Sequence, residues 1–187
     1  MTTVNELWFK SSQANQQAEQ AYHRLLDRYN PSIELETDTI VSRRRFQVLL
    51  DRLRACGAPY GAHTIVYRPD RSILLVRHEG VDQWVLPGGE IVGNENFREA
   101  AERELREEAG IIADYEGLAI LSRVTIKTNG YDTWGVIPTF AASARSVVTK
   151  INDPDGEISA AKWFNDLPVD TRDREQLRTW REQQYDH

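Results

Sequence analysis

Cysteine is nearly absent from this chain, which has one thiol, Cys56, among its 187 residues. A single cysteine excludes an intrachain disulfide and a zinc site built from cysteines. We expect Cys56 to be a partly buried thiol beside a helix end rather than a nucleophile. Stability must therefore come from a hydrophobic core, for which the length and the 40% hydrophobic content are sufficient.

Long apolar runs are also missing. No stretch approaches the roughly 20 apolar residues that cross a bilayer as a helix. The first residues, MTTVNELWFKSSQ, lack a basic segment followed by an apolar run, so we expect no signal peptide. The sequence therefore predicts a soluble cytoplasmic protein that does not bind a membrane.

Positive charge is in deficit, with 23 basic against 29 acidic residues and a formal net charge of -6. Proteins that bind polymeric nucleic acid usually present a basic face, so this class of partner is disfavoured. The run Arg43–Arg45 invites a DNA-binding interpretation, but in an acidic chain a solvated helix start is the better one. A small phosphorylated ligand is still compatible, because a divalent cation supplies local positive charge.

The first 58 residues are typical of a helical extension. Apolar residues at three- and four-residue spacing predict the helices, and Ser42 and Gly57 are suitable residues to cap the second one. The expected elements are a helix over 12–29, a strand or extended link over 33–41, and a helix over 42–55. We expect residues 1–58 to pack on the core or to mediate homodimerisation.

From residue 59 the pattern changes to short β-rich segments separated by turns. Asn129-Gly130 is the strongest hairpin signal in the chain. The expected elements are a hairpin over 63–77, a strand over 84–86, a helix over 95–109 between Asn94 as N-cap and Gly110, strands over 117–128 and 131–142, a broken strand over 147–164, and a helix over 171–184. This mixture predicts an α+β domain over 59–187.

Three glutamates, Glu104, Glu107 and Glu108, share one side of the 95–109 helix. Each residue adds 100° of rotation, so their side chains project within about 100° of one another. Like charges at this spacing repel, and the C-terminal half of a helix disfavours negative charge further. A hard divalent cation such as Mg²⁺, or Mn²⁺, would supply the missing counter-charge.

The other acidic residues of this segment fall on the opposite side of the helical wheel. For Glu95, Glu99 and Glu102 a solvated face is the expected environment, with an ion pair between Glu102 and Arg106. The wheel thus separates candidate metal ligands from ordinary surface charges.

Residues 88–111 hold the most specific pattern in the chain. Gly89 is followed after five residues by Glu95, and after seven more by RELREEAGI at 103–111. The pattern is G-x5-E-x7-R-E-U-x-E-E-x-G-U, where U is apolar, and every specified position is filled. It resembles the signature of the Nudix hydrolases, which cleave nucleoside diphosphates linked to another group.

The resemblance implies a fold and a metal site. The fold is a Nudix-like α/β/α sandwich with a mixed β-sheet, preceded here by the helical extension. In the family, box glutamates and a carbonyl of the glycine pair hold divalent metal ions, which implies Glu104, Glu107, Glu108 and Gly89 as metal ligands. The box arginine, here Arg103, orients the glutamates by ion pairing in the family resembled.

Two glutamates are candidates for the general base that deprotonates the attacking water. Nudix enzymes use either a box glutamate, here Glu104, or an acid on a later loop. Glu157 is such an acid, and its place a few residues before Trp163-Phe164 resembles a recurrent family feature. A loop carboxylate without a role is an equally good interpretation of Glu157.

The sequence predicts an enzyme, a metal-dependent hydrolase of the pyrophosphate bond of a nucleotide-type substrate such as ADP-ribose or a nucleoside triphosphate. The alternative is a nucleotide-sensing module that kept the fold and lost turnover. Such modules usually lose box glutamates, and all are present here. Aromatic candidates for a base-binding slot, each more typical of core or sheet surface, are Trp84, Tyr131, Trp134 and Phe140.

Overall fold

The computed structural model describes residues 4–185. Its elements are α1 (Val4–Arg28), β1 (Ile33–Ile40), α2 (Arg43–Cys56), β2 (Ala62–Tyr67), β3 (Ile73–His78), β4 (Gln83–Val85), β5 (Gly88–Gly89), α3 (Phe97–Ala109), β6 (Ala113–Thr128), β7 (Tyr131–Ala144), β8 (Ile158–Phe164) and α4 (Arg174–Tyr185). They group into two compact units. The first contains the described residues up to Gly61 together with Ile120–Pro138, and the second contains Ala62–Ala119 and the chain from Thr139 onward.

The first unit packs α1 and α2 against parts of β6 and β7. β1 runs parallel to β6, with Ile33 opposite Ile120 and Ile40 opposite Lys127. Gly135 lies so close to α2 that an added Cβ would stand 2.3 Å from a methyl group of Leu53. The buried core consists of Leu7, Ala14, Phe46, Leu49, Leu50, Leu53, Val124 and Ile126.

Helix α1 begins earlier than its predicted start at residue 12. Leu7 and Ser11 are buried and continue the inner stripe at three- and four-residue spacing. Glu6 and Lys10 form an ion pair at 3.1 Å beside this stripe, and the polar Ser11 within it conceals the stripe in the sequence. No helix in residues 4–185 combines the length and the apolar composition that crossing a membrane requires.

Helix α2 has the caps that the sequence predicted. Ser42 Oγ accepts a hydrogen bond from the Arg45 N–H at 3.2 Å, and Gly57 has a left-handed φ of 80°. The arginines at its start are exposed, as expected for a solvated helix start. Cys56 is half-buried at its end, with Sγ 3.5 Å from the Arg52 carbonyl oxygen.

The second unit is a mixed sheet covered by a helix on each face. β2 is parallel to β7 and antiparallel to β3 and β5, while β3 is antiparallel to β4 and β8. α3 buries Leu105 and Ala109 against Val66 and its neighbours. Tyr67 alternates with Val66 along β2 and contacts Trp180 of α4, with ring centroids 5.7 Å apart. The predicted α+β sandwich with a mixed sheet is confirmed.

The predicted hairpin at Asn129-Gly130 is present. β6 ends at Thr128, β7 begins at Tyr131, and Gly130 has a φ of 80°. This backbone conformation is one that glycine adopts readily, which explains why the dipeptide is so strong a hairpin signal.

The predicted N-cap of α3, Asn94, is wrong. Asn96 caps the helix, and its side chain exchanges hydrogen bonds with Glu99 in a capping box. The preceding turn, in which the Glu95 N–H donates to the Val92 carbonyl at 3.2 Å, delays the helix by two residues. The exposed Glu99 side chain therefore also has a structural role, since it accepts a hydrogen bond from the Asn96 N–H at the start of the helix.

The broken strand predicted over 147–164 is only partly confirmed. Ile158–Phe164 forms β8, whereas residues 147–157 form a loop. Asp153 stops strand formation here because its carboxylate accepts hydrogen bonds from the backbone N–H groups of Asp155, Glu157 and Ile158. This loop reaches the C-terminal end of α3.

Candidate active site

The Gly88-Gly89 bend places backbone against both β2 and the carboxylates of α3. An added Cβ on Gly88 would lie 2.5 Å from the Ala62 carbonyl oxygen. One on Gly89 would lie 2.5 Å from Glu104 Oε1. Position 88 therefore requires glycine, since the obstacle there is backbone, whereas a side chain at position 89 would displace the Glu104 carboxylate.

Arg103 is the centre of an ion-pair network. Its guanidinium donates to Glu95 at 2.7 Å, to Glu104 at 2.8 Å and to Glu107 at 3.1 Å. It also donates to the Glu90 carbonyl oxygen at 2.9 Å. These hydrogen bonds, the one to Glu95 foremost, raise the pKa of Arg103, so the group stays charged and fixes two of the three predicted metal-binding glutamates.

The solvated environment predicted for Glu95 is wrong. Glu95 precedes α3, so the helical wheel does not apply to it, and its side chain is 23% exposed. It binds Arg103 and also accepts the Val92 N–H at 3.1 Å, and the hydrogen bond from Arg103 lowers its pKa. The Glu102–Arg106 pair is on the exposed side as predicted, at 3.8 Å.

Glu108 is the most deeply buried of the three glutamates, with 8% of its surface exposed. Its carboxylate accepts a hydrogen bond from the Gly88 N–H at 2.9 Å. Burial raises the pKa of Glu108 to about 8, and the nearby negative charge of Glu104 adds to this. Burial also raises the pKa of Glu104, although Arg103 opposes the shift.

The loop over 147–157 is fastened to the end of α3 by backbone hydrogen bonds. The Lys150 N–H donates to the Ala109 carbonyl and the Asn152 N–H to the Glu107 carbonyl, both at 2.8 Å. Gly110 permits this contact, since an added Cβ would lie 2.5 Å from the Lys150 carbonyl oxygen. The loop is thereby held beside the glutamates.

This loop brings further carboxylates into the electrostatic field of the glutamates. The charges of Asp153 and Glu157 raise the pKa of Glu108, and that of Asp155 raises the pKa of Glu104. Asp153 and Asp155 were not among the predicted site residues. The acidic turn Asp-Pro-Asp-Gly-Glu was a sequence signal for them, but nothing in the sequence placed it at the end of α3.

The aromatic candidates have different environments. Trp84 meets Phe164 edge-on, with ring centroids 4.8 Å apart, and Phe140 is buried. Trp134 lies under Arg123, whose guanidinium carbon is 4.2 Å from the ring centroid. Phe140 thus belongs to the core, which the sequence analysis gave as the more typical environment of these aromatic residues.

The chemistry of the three glutamates fits a divalent cation. Among residues 4–185 no three Asp, Glu, His or Cys side chains are already gathered as a metal cage, because Glu104 and Glu107 face Arg103 and Glu108 faces the Gly88 N–H. The donor set nevertheless consists of oxygen atoms, and it contains three carboxyl groups beside the one guanidinium of Arg103. Both properties suit Mg²⁺ or Mn²⁺.

The buried carboxyl group of Glu108 predicts a pH-dependent effect of Glu108→Gln. The folded-state pKa of about 8 exceeds the unfolded value of about 4.3, so ionisation destabilises wild type as pH rises between them. In EDTA the variant should therefore gain about 1 kcal/mol or more in free energy of unfolding at pH 9, and less at pH 5. Urea denaturation at both pH values measures this, and an equal difference at both contradicts it.

Comparison with known proteins gives matches of three kinds. A family model described as the NUDIX domain matches residues 58–182. A putative 8-oxo-dGTP diphosphatase of Bacillus subtilis (strain 168) is 46% identical over 50 residues, 27% of this chain and 34% of that relative. The chain thus matches about a third of the length of this curated relative.

Two solved structures illustrate the matches of the third kind. A MutT Nudix hydrolase from Burkholderia pseudomallei has 26% identity and a TM-score of 0.48, with 63% of this chain and 94% of that chain covered. An ADP-ribose pyrophosphatase from Streptococcus suis 89-1591 has 19% identity and a TM-score of 0.49, with coverages of 67% and 92%. The family match extends over more than half of the sequence and includes the whole glutamate-bearing helix, and on this basis the chain belongs to the Nudix family.

Proposed function

We propose that this protein is a metal-dependent hydrolase that cleaves the pyrophosphate bond of a nucleoside diphosphate derivative. The observation that carries the proposal is the close approach of the Gly89 backbone to the Glu104 carboxylate, next to the buried carboxyl group of Glu108. Burial makes ionisation of Glu108 unfavourable in the metal-free protein, and a bound cation would offset this cost. Membership of the Nudix family supports the same reaction.

The proposed ligands of Mg²⁺ or Mn²⁺ are Glu104, Glu107, Glu108 and the carbonyl of Gly89. When bound, the cation neutralises phosphate oxygens and lowers the pKa of the attacking water. The chain's own part is to hold the ligands in place. Arg103 fixes Glu104 and Glu107 as an ion-pairing partner, and so acts on orientation rather than on the reacting atoms.

We assign the general base to Glu157, with Glu104 as the alternative. The Glu157 side chain is 60% exposed, so it is accessible to water and substrate. Glu104 is 13% exposed and accepts a hydrogen bond from Arg103, which leaves it less free to accept a proton. A base must come within hydrogen-bond reach of the water that it deprotonates.

The substrate class that we propose is a free nucleotide, with ADP-ribose and nucleoside triphosphates as candidates. The name of the B. subtilis relative adds an oxidised one, 8-oxo-dGTP, although the match covers only 50 residues. An acidic chain with a cation-dependent site suits a small anionic substrate better than polymeric nucleic acid.

A nucleotide panel tests the proposed function. Wild-type protein is incubated with Mg²⁺ and ADP-ribose, dGTP, 8-oxo-dGTP or AMP, and the products are separated by ion-exchange chromatography. We expect a nucleoside monophosphate from at least one of the first three and no cleavage of AMP, which has no pyrophosphate bond. Binding of these nucleotides by calorimetry without any turnover would instead support the nucleotide-sensing module.

A further inference from the structure

His78 lies at the end of β3, where the pairing with β8 is irregular. Arg77 pairs with Ala160 and His78 with Ile158, so Ser159 is passed over and the register shifts. Such a bulge turns side chains away from the regular alternation of a strand. Here it directs the imidazole to the loop residue Glu157, with Nε2 3.2 Å from the carboxylate.

A backbone contact determines which nitrogen of His78 carries the proton. The Gly80 N–H donates to Nδ1 at 3.1 Å, so Nδ1 is the acceptor in the neutral ring. The proton is then on Nε2, the nitrogen that faces Glu157. Gly80 fits tightly against the ring, since an added Cβ would be 3.0 Å from Cε1.

The backbone of Glu157 is fixed on both sides. Its carbonyl oxygen accepts the Glu79 N–H at 2.9 Å, and its N–H donates to the Asp153 carboxylate at 2.6 Å. The side chain is more than half exposed, and its carboxylate lies 3.2 Å from His78 Nε2. The direction of the carboxylate is therefore set by this imidazole.

We propose that His78 is a positioning residue that holds the Glu157 carboxylate in the orientation of the general base. This inference rests on the proposed function and on the assignment of the base to Glu157. His78 presents an N–H and takes no proton from water itself. Its 25% exposed side chain is anchored at the strand end, so it limits the rotation of a flexible glutamate.

The test combines variants of His78 with a variant of the base. His78→Leu removes the donor, and His78→Gln keeps an amide N–H near the position of Nε2. Each is measured alone and together with Glu157→Gln, as kcat and KM on the best substrate of the nucleotide panel. His23→Leu is the matched control, because His23 Nε2 lies 2.8 Å from the Glu19 carboxylate in an exposed contact on α1.

We expect His78→Leu to lower kcat on the order of tenfold, a part of the ~10²–10⁴-fold that a general base supplies, with little change in KM. His78→Gln should recover most of this loss, and His23→Leu should behave as wild type. In the Glu157→Gln background, His78→Leu should have no further effect. An equal loss in both backgrounds, or no loss with Glu157→Gln alone, overturns the inference while the hydrolase function stands.

A measurement without turnover separates this inference from the proposed function. Long-range ¹H–¹⁵N NMR of the histidine rings identifies the tautomer of His78 in the resting protein. We expect the Nε2–H tautomer in wild type and in Glu157→Gln, because Gly80 imposes it. An Nδ1–H tautomer overturns the inference whether or not any nucleotide is hydrolysed.

Discussion

Glu107→Gln is expected to lower kcat by on the order of 10²-fold or more while leaving the fold intact. The substitution removes a negative charge from the proposed metal site. The structural contact is preserved, since the Gln carbonyl oxygen can still accept the hydrogen bond from Arg103 that Glu107 accepts at 3.1 Å. The side chain is 30% exposed, so little packing is lost.

Glu102→Gln is the matched control for this loss. It removes the same charge from the same helix, but from an exposed side chain whose partner is Arg106 at 3.8 Å. We expect wild-type kcat for Glu102→Gln and closely similar urea midpoints for both variants. Equal activity of the two variants would remove Glu107 from the site.

Gly89→Ala is expected to lower kcat by about 10²-fold without a large loss of stability. The added Cβ would stand 2.5 Å from Glu104 Oε1 and 2.6 Å from its Cδ. These atoms end a flexible side chain, so the carboxylate moves rather than the backbone. A displacement of about 1 Å at a reacting centre costs about this factor, and the hydrogen bond from Arg103 to Glu104 is disturbed as well.

Gly93→Asn provides the comparison in the same loop. Gly93 has a left-handed φ of 59°, which asparagine tolerates, and an added Cβ would meet no atom within 4 Å. Steady-state kinetics and thermal melting of both variants measure the effect. A Gly89→Ala enzyme that turns over as fast as Gly93→Asn would show that the approach to Glu104 has no catalytic importance.

Local sequence signals predicted most of the fold. Ser42 and Gly57 define α2, and Asn129-Gly130 defines the β6–β7 hairpin, because capping and turn formation depend on a few neighbouring residues. The 3.6-residue period of a helix also predicted that the three glutamates of α3 lie on one side of it. The early start of α1 was hidden, since its stripe there contains the small polar residue Ser11 instead of an apolar one.

Contacts between distant segments were beyond sequence reasoning. The helical wheel predicted a solvated Glu95, but a turn delays the start of α3 beyond this residue. Its carboxylate is instead bound by Arg103. Backbone hydrogen bonds between the loop and α3 bring Asp153 close enough for its charge to raise the pKa of Glu108. The spacing of residues along the sequence does not predict such a contact. The domain limits and the roles of the site residues stay predictions.

A divalent cation held by the α3 glutamates is, in our proposal, required for pyrophosphate hydrolysis. The most direct test is the initial rate of nucleotide hydrolysis as a function of free Mg²⁺, buffered with EDTA. We predict no turnover without the cation, saturable recovery in wild type, and recovery in Glu107→Gln that needs much more Mg²⁺ and stays incomplete. Full turnover in excess EDTA would contradict the account.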